Sequence, residues 1–302
     1  MVPGRRVAVA VRPRARLQAP RQPARLAPVD LLLLAYLTVV TVVAATRAPA
    51  QPGCWWVVGA NVLAAMLVGL LARAPARPAL RTLRELYPLL LLPVLYGELD
   101  LLNRAGPMAH DALVQRWELA LFGSQVSRDW WRAAPSVFWS TLLHGANFSY
   151  YFIVSVPAFW FVSRGNHAAA RRFVLAVMAT FVGCYLVFVF FPVAGPYYVF
   201  PRPADWFLDN PAARLVYRTL AGGSSYGAAF PSSHVAATVA AAIATWQGSR
   251  RLGIVVLIPT ILLTVGVVYC QMHYAVDALA GLLLGAGVAT AVAMLERRKE
   301  GK

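Results

Sequence analysis

The chain has 302 residues, of which 59% are hydrophobic and 13% are charged. A soluble domain of this length could not bury so much apolar surface, so the composition excludes an ordinary water-soluble protein and predicts an all-α, polytopic membrane bundle. The net charge of +16 would indicate nucleic-acid binding in a soluble protein. Here the arginines cluster between apolar runs, which is typical of topology signals and lipid contacts, and no nucleic-acid partner is expected.

Eight apolar runs divide the chain after a polar start. Residues 1–28 are rich in Arg, Pro and Ala without periodicity, which predicts a disordered basic cytoplasmic tail. Two transmembrane helices are predicted within 29–78, and six more within 79–302. The runs predicted to span the membrane are 29–46, 54–72, 85–103, 142–162, 172–191, 235–246, 252–269 and 278–295.

Two connections between these runs are long. The first, 104–136, contains an amphipathic stretch at 112–122 and a pair of tryptophans, a pattern typical of a segment that lies on the membrane surface. The second, 192–230, contains Pro, Gly, Tyr and three arginines, and it is predicted to form a lid over the site described next. The three cysteines, Cys54, Cys184 and Cys270, have no metal-ligand spacing and are interpreted as packing residues.

Two short motifs stand at the heads of the sixth and eighth runs. Residues 230–234 read Phe-Pro-Ser-Ser-His, and residues 273–277 read His-Tyr-Ala-Val-Asp. Two antiparallel crossings return a chain to the side from which it started. His234 and His273 are therefore predicted to face one compartment at one depth, as the residues of an active site would.

The residue types in both motifs suit phosphate chemistry. Ser232 and Ser233 are natural N-caps, and the helix start that they predict offers free N–H groups and a positive dipole end to an anion. His273 and Asp277 are four positions apart and share a helix face. The carboxylate can accept a hydrogen bond from one ring nitrogen and leave the other lone pair free. With His234 nearby, the pattern predicts phosphoryl transfer without a cofactor.

Small residues continue each motif along its helix. One stripe carries His273, Asp277, Gly281 and Gly285, and the other carries His234, Thr238 and Ala242, all at intervals of four. Such stripes allow membrane helices to approach closely. We expect the two stripes to face each other and to bring the histidines together.

These motifs resemble those of the type 2 phosphatidic acid phosphatase superfamily, whose pattern pairs Pro-Ser-Gly-His with Ser-Arg-x5-His-x3-Asp. Residues 231–234 and the spacing from His273 to Asp277 match in order. The resemblance implies a six-helix catalytic domain, placed here at 79–302, and no metal or organic cofactor. It further implies that His273 attacks phosphorus to form a phosphohistidine, that Asp277 orients it, and that His234 protonates the leaving oxygen.

The chain departs from the family pattern at the phosphate-binding residues. The Ser-Arg pair falls at Gly266 and Val267, and the expected Lys-x6-Arg-Pro has Arg202 but Gly195 in place of lysine. Arginine's planar fork suits phosphate. We therefore expect Arg202, together with Arg214 and Arg218 of the same loop, to bind the substrate alongside Ser232 and Ser233.

Phe-Pro-Ser-x-His-Val-Ala and His-Tyr-x2-Asp-x3-Gly resemble the inositol phosphorylceramide synthase branch, whose members transfer a phosphoalcohol headgroup between lipids. This implies a membrane-embedded phosphotransferase that takes an inositol phosphate-like headgroup from a phospholipid and gives it to a lipid or glycan hydroxyl.

Other functions remain open at this stage. With water as the acceptor, the same site makes a lipid phosphate phosphatase. Two histidines and a carboxylate could instead form a metal triad. Residues 223–227 fit the Gly-x-Ser-x-Gly pattern of serine hydrolases, which needs a preceding strand. A non-enzymatic lipid transporter would show an internal repeat, which we do not find.

The basic residues predict the orientation. With the N-terminus inside, inside segments hold 20 of the 28 basic residues and outside segments hold 8, so both termini are predicted to be cytoplasmic and the site extracytoplasmic. Only two of the 28 are lysine and alanine is abundant, a composition that indicates a GC-rich bacterial genome. Together with the predicted spans, this predicts a location in a bacterial plasma membrane.

Overall fold

The computed structural model describes residues 26–74, 77–104 and 110–300, with backbone only for 299 and 300. Residues 1–25 of the predicted tail lie outside this part. The helices, in chain order, are α1 (Pro28–Arg47), α2 (Cys54–Ala72), α3 (Pro78–Arg104), α4 (Asp111–Phe122), α5 (Val126–Ala133), α6 (Val137–Phe148), α7 (Tyr150–Ile153), α8 (Val156–Ser163), α9 (His167–Phe190), α10 (Pro196–Val199), α11 (Asp205–Leu208), α12 (Pro211–Gly223), α13 (Ser233–Gly248), α14 (Arg250–Tyr269) and α15 (Ala275–Glu300).

The predicted all-α fold class is confirmed. No strand occurs in the described residues, where strand-like pairing is limited to an isolated bridge between Val193 and Ala228. Helices form in all eight predicted spans. Within the described part of the chain, five helices are long and apolar enough to cross a membrane by themselves: α1, α2, α9, α14 and α15. All three cysteines are free and buried, as expected of packing residues.

Two differences between the predicted spans and the observed helices have a local physical cause. The fourth, 142–162, is divided among α6, α7 and α8. Pro157, within the first turn of α8, has no N–H to continue the preceding helix. The third begins at Pro78 instead of 85, because proline suits a first helical turn and the charges that follow it pair, with Arg81 Nε 3.6 Å from Glu85.

The spans alternate in direction, which places both ends of the described chain opposite the predicted site. At one end of the bundle, Arg47 donates hydrogen bonds to the carbonyls of Leu102 (3.0 Å) and Val189 (2.9 Å), joining the ends of α1, α3 and α9. At the other end, Gly248 is the last residue of α13 and packs against Phe161 and Ala169. The starts of α13 and α15 therefore share the end marked by Arg47.

Helices α13 and α15 are in close contact at the predicted glycines. A Cβ atom at Gly281 would lie 2.5 Å from the carbonyl oxygen of Ser232, and one at Gly285 would overlap the carbonyl oxygen of Ala236. The close approach through the glycine stripe is confirmed. The prediction of which α13 residues face these glycines was wrong. Ser232 and Ala236 face them, instead of His234, Thr238 and Ala242.

Candidate active site

The two motif histidines meet at the shared end of α13 and α15. His234 is the second residue of α13, His273 lies two residues before α15, and their ring centroids are 5.8 Å apart. Both rings border a cavity of about 60 Å³. The other residues that line it are Tyr96, Asn147, Ala194, Tyr197, Tyr198, Leu220, Ser224, Ser225, Ala228, Ala229 and Met272.

His273 is held in one tautomer by the backbone. Its Nδ1 lies 3.1 Å from the carbonyl oxygen of Ala229. A carbonyl can only accept, so Nδ1 carries the proton and Nε2 keeps its lone pair. The ring is 7% exposed. Burial lowers the pKa of His273 to about 4, against the opposing effect of the bond to Ala229. The imidazole is therefore neutral near pH 7, as a nucleophile requires.

Asp277 is fully buried beside this ring. Its Oδ2 accepts a hydrogen bond from the backbone N–H of Tyr274 (2.8 Å), which caps the first turn of α15. The same oxygen is 3.5 Å from Nδ1 of His273. Ala229 is thus the nearer partner of the imidazole, while the carboxylate is placed to stabilise a positive charge on it.

His234 is held differently. Its ring centroid is 4.4 Å from that of Tyr150, and its side chain makes no hydrogen bond within the described part of the chain. This tilted ring contact holds the imidazole and leaves both nitrogens available for proton exchange with a molecule in the cavity.

Ser232 and Ser233 form the start of α13. The Ser232 hydroxyl caps the helix by accepting from the N–H of Val235 (3.4 Å), and its own N–H donates to the carbonyl of Asp277 (3.0 Å). Both serines are buried and neither lines the cavity. Apart from the side chain of His234, α13 contributes to the site its N-terminal end, where the positive end of the helix dipole lies.

The three arginines of the 192–230 loop do not reach the cavity. All three are exposed. The guanidinium of Arg202 lies 5.0 Å above the ring of Tyr217, and that of Arg214 pairs with Asp209 at 3.3 Å. Arg218 also lies outside the lining. Surface contacts hold Arg202 and Arg214 away from the cavity, whose lining contains neither lysine nor arginine.

A buried face of α4 supports the site, which the sequence reasoning missed. Asp111 accepts hydrogen bonds from the N–H groups of Ala194 and Gly195 (2.8 Å each) and from the hydroxyl of Tyr274 (3.0 Å). Gln115 donates to the same hydroxyl at 3.0 Å. These bonds fix both the loop above the cavity and the residue that follows His273.

Glu118 completes this face and is 0% exposed. Its two carboxylate oxygens accept from the N–H of Val276 at the start of α15 (3.2 Å) and from Ser127 at the start of α5 (3.4 Å). Burial raises the pKa of Glu118, and these N–H bonds oppose the rise. The spacing of residues 111, 115 and 118 could have predicted this polar face, because positions i, i+4 and i+7 lie on one side of a helix.

Among protein families, the PAP2 superfamily matches residues 114–291, more than half of the chain. The chain belongs to the PAP2 superfamily. The family's helical membrane bundle agrees with the fold observed here, and the matched region runs from α4 into α15, with both histidines inside it. No curated protein and no solved structure matches the chain.

The absence of lysine from the position where the family pattern has one is explained by the local backbone. Gly195, which stands where lysine was expected, has φ +92°, and a Cβ there would lie 2.7 Å from the Cβ of Ala229. A lysine would be strained in this conformation and would collide with the residue that orients His273. This PAP2 superfamily member therefore has no room for a phosphate-binding lysine at that position.

The two rival sites do not form in the described residues. Residues 223–227 begin at the last residue of helix α12 and are not preceded by a strand, and Ser225 donates its hydroxyl proton to the carbonyl of Tyr96 (2.8 Å). This is not the strand–turn–helix of a nucleophile elbow. No group of three His, Cys, Asp or Glu side chains there is arranged to hold a metal ion.

Proposed function

We propose that this PAP2 superfamily protein transfers the phosphoalcohol headgroup of a phospholipid to a lipid or glycan hydroxyl through a phosphohistidine at His273. The observation that carries the proposal is the pair of imidazoles 5.8 Å apart on one cavity, one of them buried with its Nδ1 at a carbonyl. Such a pair supplies a neutral nucleophile and a separate proton carrier.

In the first step, the Nε2 lone pair of His273 attacks phosphorus. The bond from phosphorus to the lipid alcohol oxygen breaks as the P–N bond forms, and protonated His234 gives its proton to that oxygen. The imidazole of His273 becomes cationic, and the Asp277 carboxylate 3.5 Å from Nδ1 stabilises this charge. The backbone start of α13 stabilises the negative phosphoryl oxygens.

In the second step, the acceptor hydroxyl oxygen attacks phosphorus and the P–N bond breaks. His234 takes the hydroxyl proton and is ready to protonate the next leaving alcohol, while His273 returns to its neutral form. The product is a new phosphodiester, so no net proton is gained or lost over the cycle.

The charge of the cavity favours a diester over a monoester as the donor. A phosphodiester carries one negative charge, whereas a monoester carries about 1.5 to 2 near pH 7. Because the lining contains no lysine or arginine, the second charge would be desolvated without a counterion. This supports headgroup transfer over hydrolysis of a phosphatidic acid-like lipid.

The experiment is to incubate purified protein with a panel of headgroup-labelled phospholipids, with and without candidate alcohols. Transfer predicts labelled product only when an alcohol is present, and none with the His273→Ala variant. Free phosphate released from monoesters, independently of any alcohol, would instead identify a lipid phosphatase. Product formation by His273→Ala at the wild-type rate would contradict the histidine mechanism.

The site is proposed to be extracytoplasmic, with both termini in the cytoplasm. The bias of basic residues and the location of both described chain ends opposite His234 and His273 support this orientation. A reporter fused after Lys302 should be active only in the cytoplasm. Activity of that reporter outside the cell would reverse the orientation.

A further inference from the structure

A larger cavity, of about 640 Å³, lies at the end of the bundle opposite the two histidines. It is formed by the starts of α1, α3 and α9 and by the end of α15, and nothing in the proposed reaction uses it. The residues that line it are Leu26, Ala27, Pro28, Val29, Arg81, Arg84, Glu85, Arg171, Arg172, Val174, Leu175 and Glu296.

The polar wall of this cavity is cationic. Four arginines from α3 and α9 face two glutamates, which leaves a net charge of +2 among the lining side chains. Arg84 is also 3.7 Å from the buried carboxylate of Asp30, whereas Arg81 and Arg171 pair with Glu85.

Glu85 brings two of these arginines together. It accepts a hydrogen bond from Arg171 (2.9 Å), lies 3.6 Å from Nε of Arg81, and is 2.6 Å from Nδ1 of His167. Arg81 and Arg171 nevertheless remain 56% and 53% exposed. A guanidinium has five N–H donors, so each retains several that point away from the carboxylate and suit a phosphate.

The opposite wall is apolar and includes Leu26, Val29, Val174 and Leu175. The cavity also lies at the ends of three helices long and apolar enough to cross a membrane, α1, α9 and α15. That position corresponds to the level of lipid headgroups. A small anion would occupy the arginine side and leave the apolar wall uncovered, whereas a phospholipid would cover both.

We propose that this cavity binds an anionic phospholipid, with its phosphate on Arg81 and Arg171 and its glycerol and first acyl carbons on the apolar wall. The bound lipid joins α1 and α3 to α9 and so stabilises the N-terminal helices on the rest of the bundle. This site is separate from the proposed reaction, and its test does not depend on activity.

The test is thermal unfolding of the full-length protein in detergent with increasing dioctanoyl phosphatidylglycerol. Because the lipid binds the folded state, the unfolding temperature should rise with its concentration. In the Arg81→Gln/Arg171→Gln variant the concentration needed should increase roughly tenfold, since charge-assisted bonds to phosphate are lost. Arg250→Gln/Arg251→Gln is the matched control, because both arginines are exposed at the same end of the bundle and do not line the cavity.

Three outcomes would overturn the proposal. In the first, phosphatidylglycerol stabilises both double variants equally, which would point to binding elsewhere. In the second, dioctanoyl phosphatidylcholine stabilises the wild type as much as phosphatidylglycerol does. In the third, inorganic phosphate alone stabilises the wild type as much as phosphatidylglycerol does. Should the Arg81→Gln/Arg171→Gln variant not fold, Arg81→Gln serves alone. That side chain is over half exposed, and its loss should raise the required lipid concentration about threefold. An unchanged lipid concentration would contradict the proposal.

Discussion

Substitution of Gly281 by alanine tests whether the approach of α13 and α15 sets the geometry of the site. The added Cβ would lie 2.5 Å from the carbonyl oxygen of Ser232, 3.3 Å from the backbone nitrogen of Ala236 and 3.3 Å from Cβ of Val235. An ordinary C···O contact is about 3.3 Å or longer. None of these atoms belongs to the far end of a flexible side chain, so the two helices must separate by roughly 0.8 Å.

That separation acts close to the histidines. The bond from the N–H of Ser232 to the carbonyl of Asp277, now 3.0 Å, joins α13 to α15 two residues from His234 and would be stretched. Overpacking of this kind costs about 1–3 kcal/mol of stability. A displacement of about 1 Å in an active site reduces the rate on the order of 100-fold. We therefore expect Gly281→Ala to fold, to unfold at a lower temperature and to lose most of its kcat.

The assay is headgroup transfer, measured alongside thermal unfolding of the same preparation. Gly287→Ala is the matched control, because it lies on the same helix and its Cβ would meet no atom within 4 Å. It should retain wild-type kcat and stability. Wild-type activity in Gly281→Ala, or an equal loss in Gly287→Ala, would show that the contact between α13 and α15 does not set the geometry of the site.

Three further predictions concern individual side chains. Burial lowers the pKa of His273 from 6.5 to about 4. Its rate of modification by diethyl pyrocarbonate should therefore stay nearly constant from pH 7.5 to 5.5, whereas that of an ordinary imidazole would fall about tenfold. A tenfold fall in the rate at His273, measured by peptide mass mapping, would contradict this. The same shift makes the unfolded state take up the proton first, so this group's contribution to stability declines as pH falls from about 6.5 to about 4. Glu118→Ala leaves the N–H groups of Val276 and Ser127 buried and unpaired, at about 1–3 kcal/mol each, and should lower the unfolding temperature by several degrees more than the exposed control Leu119→Ala; equal temperatures would argue against the capping role. Arg214→Ala removes only a surface pair with Asp209 and should change kcat/KM less than about twofold, whereas a large loss would place this arginine in the site.

Much of the site could be predicted because its signals are local in the sequence. The Pro-Ser-Ser start before His234 predicted where α13 begins, and Gly281 and Gly285 predicted where α15 approaches it. The partner stripe was wrong because helical spacing alone does not determine which face of α13 turns toward α15. The interval of four from Ser232 to Ala236 fits equally well.

Other parts of the site carry no such signal. The contact between His273 and the carbonyl of Ala229 involves a backbone atom 44 positions away, and any residue type provides that atom. The arginines of the 192–230 loop were predicted from their charge, but Arg202 and Arg214 make surface contacts with Tyr217 and Asp209 instead of lining the cavity. The polar face of α4 was readable from its spacing, yet amphipathicity alone suggested a helix lying on the membrane, because it does not show which face is buried.

The covalent intermediate itself can be detected by rapid quenching of the enzyme with a headgroup-labelled phospholipid, followed by peptide mapping under alkaline conditions. We expect an acid-labile phosphoalcohol adduct on the peptide that contains His273, formed and lost at the rate of turnover and absent from His273→Ala. An adduct on another residue, or full turnover by His273→Ala, would contradict it.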